Sequence, residues 1–218
     1  MAAQSPALKA FLKSMGVHAH LPLWRENYSL GALDVLRDRE LALVEDMLCE
    51  KLADSPDIRA VRALAAMKSE YAVPILKACC YQWEAHGLFI AETASALWLI
   101  CKDDKSLPLL LHVLSEADDA QARVVAAKAI ADRPEGEALH GLFAALSDSD
   151  DDVRSAVVDA LWVQLSLPTR YNGISPLAAL RRGLAQAEAK SRRASRQELG
   201  RYLRDRGVGE DVTGWELG

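Results

Sequence analysis

Two histidines, His18 and His20, flank Ala19 in a segment that ends at Pro22. That spacing could supply two ligands of a metal ion. A site takes three or four, and no nearby Cys, Asp or Glu completes the set. Loop imidazoles, packed or solvated, are the simpler reading. Four cysteines are present, Cys49, Cys79, Cys80 and Cys101. Adjacent Cys79 and Cys80 fit no ordinary zinc spacing. All four lie in apolar, helix-like stretches, where Cys behaves as a small hydrophobe, so free thiols in a reducing cytoplasm are expected. The acid run Asp148-Ser149-Asp150-Asp151-Asp152 could hold calcium, but it lacks the alternation and closing Glu of an EF-hand loop. A solvated turn with acids at a helix N-terminus explains it better. No Gly-x-Ser-x-Gly, phosphate-cradling glycine loop or supported Ser–His–acid order occurs. The expectation is a chain with no catalytic residue, no metal and no cofactor, and so not an enzyme.

The elements that must position any site repeat along the chain. Four segments share an i, i+3, i+4, i+7 pattern, apolar throughout in Leu76-Cys79-Cys80-Trp83, Leu107-Leu110-Leu111-Leu114 and Leu139-Leu142-Phe143-Leu146, and with Arg at the third place in Leu177-Leu180-Arg181-Leu184. Their starts lie 31, 32 and 38 residues apart. Each is the buried stripe of an amphipathic helix, the B helix of a hairpin. An A helix precedes each, anchored by Val61/Leu64, Ala94/Leu97, Ala127/Ile130 and Val158/Leu161. One hairpin cannot cover its own apolar faces, so hairpins must stack. Ser55-Pro56 and Ser175-Pro176 read as an N-cap before a first-turn proline. Asp103-Asp104, Asp118-Asp119 and residues 147–152 supply polar breaks. Alternating strand patterns bounded by hairpin turns are missing. The expected core includes Leu64, Leu97, Leu110, Leu111, Ile130, Leu142, Phe143, Leu161 and Leu180.

The stretch Asp152-Val153-Arg154-Ser155-Ala156-Val157-Val158-Asp159-Ala160-Leu161 resembles the first helix of a HEAT repeat, in the short form found in phycobilisome-lyase-like proteins. Asp119 to Ile130 is a looser copy in which Arg123 matches Arg154. The resemblance covers roughly residues 55–190. It implies an all-α, right-handed α-solenoid of stacked helical hairpins, of the armadillo-like kind. Residues 1–54 read as an N-terminal helical cap, 55–190 as about four repeats, and 191–218 as a C-terminal cap helix and tail, all one continuous domain. The resemblance says little about activity, because this fold hosts many roles. A phycobilin-lyase-like enzyme is one alternative that it implies. HEAT-like metal hydroxylases use His-Glu pairs, and no His is followed by Glu here.

Half of the 218 residues are apolar, aromatics are few, and the formal charge is −5. That excludes wholesale disorder and weighs against a surface built to track phosphates. Residues 116–152 hold ten acids and three bases, a net −7; residues 181–206 hold nine bases and three acids, a net +6. The basic block is read as the solvated flank of a cap helix, with nucleic-acid binding as the rival. No signal-like or membrane-spanning run is visible, so a cytoplasmic protein is expected.

On each B helix the positions opposite the stripe face the presumed concave groove. They include Lys77 and Tyr81, Leu109, His112 and Val113, His140, and Arg182. The 38-residue spacing implies an insertion around Arg170 and Tyr171, and insertions in repeat arrays often sit on the functional face. This small, partly apolar, weakly charged surface fits a protein partner better than nucleic acid. The expected function is therefore a non-catalytic interaction module. An adaptor and an inhibitor that occludes its target both fit, a bacterial immunity-type protein being a concrete case.

Overall fold

A computed structural model describes residues 4–16, 28–82, 86–133, 136–167, 176–186 and 189–205. These contain twelve α-helices and no strand. Three precede the hairpins: α1 (Pro6–Gly16), α2 (Leu30–Leu33) and α3 (Asp38–Asp54). The A helices are α4 (Ile58–Met67), α6 (Gly87–Cys101), α8 (Ala120–Ile130) and α10 (Asp151–Gln164). The B helices are α5 (Val73–Gln82), α7 (Ser106–Glu116), α9 (Gly136–Ala145) and α11 (Pro176–Ala185), and α12 (Ala189–Asp205) follows. The fold class is all-α, built from helical hairpins. The helices group into two compact units, residues 1–109 and 110–218, divided within α7.

In the first unit α4 packs on α3 and α6, and α5 on α3 and α6. Val44, Leu48, Leu52, Val61, Leu64, Leu76 and Leu97 are shut from solvent between them. Burying each such side chain contributes about 1.5–3 kcal/mol before entropy is counted. Tyr28 enters this unit beneath a polar cluster. Its hydroxyl donates to Asp57 Oδ2 at 2.7 Å, and its ring lies 4.8 Å from the Arg59 guanidinium and edge-on to Phe11. Burial and the Asp57 bond both push the Tyr28 hydroxyl pKa up. Burial also pushes Asp57 up, but hydrogen bonds from Arg59 and Tyr28 outweigh it and hold the carboxyl below its ordinary range.

In the second unit α10 packs on α8, α9 and α11, and α11 on α12. All eight A-helix anchors, in both units, are buried. Aspartates start three of the four A helices. Asp57 accepts from the amide of Arg59, Asp119 from Gln121, and Asp150 from Asp152 and Val153. Each satisfies an amide that the helix leaves orphaned, and its charge suits the positive helix end. The cap of α4 is thus Asp57, where Ser55-Pro56 had suggested Ser55; Ser55 instead closes α3. Two A helices end on left-handed residues that are not glycine, Lys68 (φ 51°) and Lys102 (φ 53°).

In α7 and α9 the stripe is narrower than its spacing suggested. Leu107, Leu110 and Leu114 are buried, but Leu111 is only half-buried, and Val113 is buried at 3 % exposure. The stripe centres on Leu110, with Ser106, Leu107, Val113 and Leu114 three or four residues away on either side. Val113 therefore belongs to the core and not to the groove. Leu142 is buried while Phe143 is half-exposed, the same rotation. Trp83, His18, His20, Arg170 and Tyr171 lie outside the described residues.

Candidate functional site

Two grooves open on B helices, one in each unit. The first, about 200 Å³, is lined by Lys77, Cys80 and Tyr81 of α5, Leu97 of α6, Asp103 and Lys105 of the following turn, and Pro108 and Leu109 of α7. It brings together three residues singled out by the helical wheel. Tyr81 stands 78 % exposed at its mouth. Leu109 is half-buried and leans on the core as well as lining the groove. The Lys77 ammonium meets Asp103 Oδ1 at 2.7 Å, and that hydrogen bond raises its pKa. Its charge is therefore already matched by a carboxylate of the fold. Burial lifts the Cys80 thiol to about 11, so it presents a neutral S–H at physiological pH and not a nucleophile.

The second groove, about 460 Å³, lies between α7 and α9. Its apolar lining is Leu111, Leu114, Ala144 and Ala145 around Gly141, with Ser115, Glu137, His140 and Asp148 as polar members. His140, singled out by the helical wheel, lines it. A Cβ at Gly141 would come within 2.2 Å of Leu111 Cδ2, so a side chain there would make Leu111 move aside. The bare backbone lets Leu111 lie across α9. His112 and Arg182 are exposed on α7 and α11 and line neither groove.

Asp148, at the groove edge, is fixed by the fold. Arg123 grips it with two bonds of 2.7 and 3.0 Å, and the Asp150 amide donates at 2.8 Å. Arg154, almost wholly buried, donates to the Asp148 carbonyl at 2.7 Å and to the Ala185 carbonyl, and pairs with Asp151. The two repeat arginines thus tie three inter-helix turns together. The acid run, expected to be a solvated turn, is solvated only in part: Asp151 and Asp152 are exposed, whereas Asp148 and Asp150 bond the backbone and Arg123.

Sequence reasoning missed the polar members Asp103, Glu137 and Asp148, because they come from loops and helix starts that a wheel does not place. It also put Leu111 wholly in the core. The signal that could have corrected this was Gly141, a residue without a side chain on the facing helix.

All four thiols are free; Cys79 and Cys80 are buried and Cys101 is exposed. Among the described residues no group of three His, Cys, Asp or Glu could hold a metal ion. No described helix is long and apolar enough to cross a membrane.

A sequence model of HEAT repeats matches residues 107–200. No curated protein and no solved structure matches the chain.

Proposed function

On the premise that residues 107–200 belong to the HEAT-repeat family, we propose that this chain is a non-catalytic module that binds another protein. HEAT repeats commonly mediate such interactions. Within that class it acts as an adaptor or as an inhibitor that occludes its target, as an immunity-type protein would. The observation that carries this reading is Tyr81. It is a large aromatic held 78 % exposed beside an apolar groove floored by Leu97 and Leu109. Tyr is enriched where interfaces concentrate their energy.

A photo-crosslinking amino acid placed at position 81 in the native host identifies the neighbour directly. Tyr81→Ala is then compared with wild type against that purified partner. The expected result is a dissociation constant raised at least about tenfold with an unchanged circular dichroism spectrum, because Tyr81 contributes little to the core. Equal affinity, or no protein adduct, would remove this groove from the interface. Leu109→Glu is a poorer probe, since a carboxylate placed against the core destabilises the unit itself.

A further inference from the structure

The two grooves differ in charge. The lining of the first holds two lysines, Lys77 and Lys105, and one acid, Asp103, which pairs with Lys77. The lining of the second holds two acids, Glu137 and Asp148, the latter paired with Arg123, and no Lys or Arg. Glu116 adjoins the lining residue Ser115, and Asp118 and Asp119 follow it; all three are exposed. Asp151 and Asp152 stand exposed beyond Asp148. Three cations among the described residues are engaged within the fold. Arg123 is held on Asp148, Arg154 is buried against Asp151, and Arg196 donates to Ser147 at 2.8 Å. The segment 116–152 keeps a net charge of −7.

Inside this rim the floor is apolar, and its volume of about 460 Å³ is within the range of ordinary ligand pockets. An anionic partner would meet like charge on the rim, whereas a cationic one would be steered in and held. We infer that the α7/α9 groove takes a basic peptide segment of a partner protein. An apolar side chain of the peptide seats over Leu111, Gly141 and Ala144, and its Lys or Arg residues face Glu137 and the neighbouring acids. This rests on the protein-binding reading and specifies the chemistry of the partner.

The test uses the full chain and a displayed library of random dodecapeptides. The expected outcome is enrichment of sequences with net positive charge and at least one large apolar residue. A labelled peptide from that pool should bind wild type saturably in fluorescence anisotropy. Ala144→Phe, which fills the groove from an exposed position, should weaken it at least about tenfold. Glu137→Lys should weaken it severalfold, and the difference from wild type should shrink between roughly 50 and roughly 500 mM salt. Because Glu137 is exposed, this second variant serves if the bulky ring perturbs folding. Enrichment of neutral or acidic peptides, no enrichment, or binding indifferent to both substitutions overturns the inference. So does a wild-type dimer that Ala144→Phe disperses, which would make a second copy the occupant. If the peptide result fails while partner capture still depends on Tyr81, this inference alone falls; if both fail, the protein-binding reading falls with it.

Discussion

A single carboxylate, Asp148, joins the chemistry of the repeat signature to the edge of the larger groove. Burial pushes its pKa up, but the Arg123 hydrogen bonds and the Asp150 amide outweigh that and leave it below its ordinary range. A depressed carboxyl pKa means that the stabilisation is complete above the unfolded-state value, about 3.9. It is lost as pH falls from there through the folded-state value. Asp148→Asn should therefore lower stability by roughly 1–2 kcal/mol at neutral pH. The gap from wild type should narrow in thermal melts near pH 3, where the unfolded wild-type chain takes up the proton. An equal gap at both pH values would mean the carboxylate charge contributes nothing. This role was half legible in the sequence. Arg123 and Arg154 stand out by their match to one another, but their acceptors are carbonyls and a loop carboxylate that no spacing rule points to. The Tyr28–Asp57–Arg59 cluster was less legible still, because Tyr28 lies far from Asp57 along the chain and carries no motif.

At the scale of the helix, periodicity located each hairpin but fixed the rotation of the B helices only coarsely. In α5 the described stripe positions Leu76, Cys79 and Cys80 are all buried, whereas in α7 and α9 one edge of the stripe is partly exposed. In α7 that edge is Leu111, and the opposite flank draws in Val113. The two adjacent leucines should then respond differently. Leu110→Ala removes a side chain with 0 % exposure and should cost roughly 2–5 kcal/mol. Leu111→Ala, already partly in water, should cost less, about 1 kcal/mol. Chemical denaturation of the two variants checks this, and equal losses would restore the broader stripe. The A helices showed no such ambiguity. Their alanine-rich faces pack closely on both sides, so nearly every apolar position is buried in α10. Their ends were harder to read, since Lys68 and Lys102 occupy left-handed positions where glycine is the usual marker.

Across the whole molecule charge is unevenly divided, with −7 over residues 116–152 and +6 over 181–206. A basic C-terminal segment is the one feature that speaks for nucleic acid. Part of that charge is engaged within the fold: Arg181 pairs with Asp159 and Arg196 bonds Ser147. Lys190, Arg193 and Arg201 stand exposed on α12. Binding that rests on a few solvated cations is held by counterion release and carries no base readout. Duplex DNA should therefore bind weakly, without sequence preference, and binding should collapse between about 50 and about 200 mM salt. Combining Lys190→Ala, Arg193→Ala and Arg201→Ala should weaken what remains and flatten the salt slope, since each removed cation releases about one counterion fewer. Filter binding or anisotropy over that salt range measures both effects. The acidic groove works in the same direction, because its field repels a polyanion from the second unit. Tight, sequence-selective binding at roughly 150 mM salt would need base contacts that these exposed side chains do not account for. That result would replace the protein-binding reading with a nucleic-acid one.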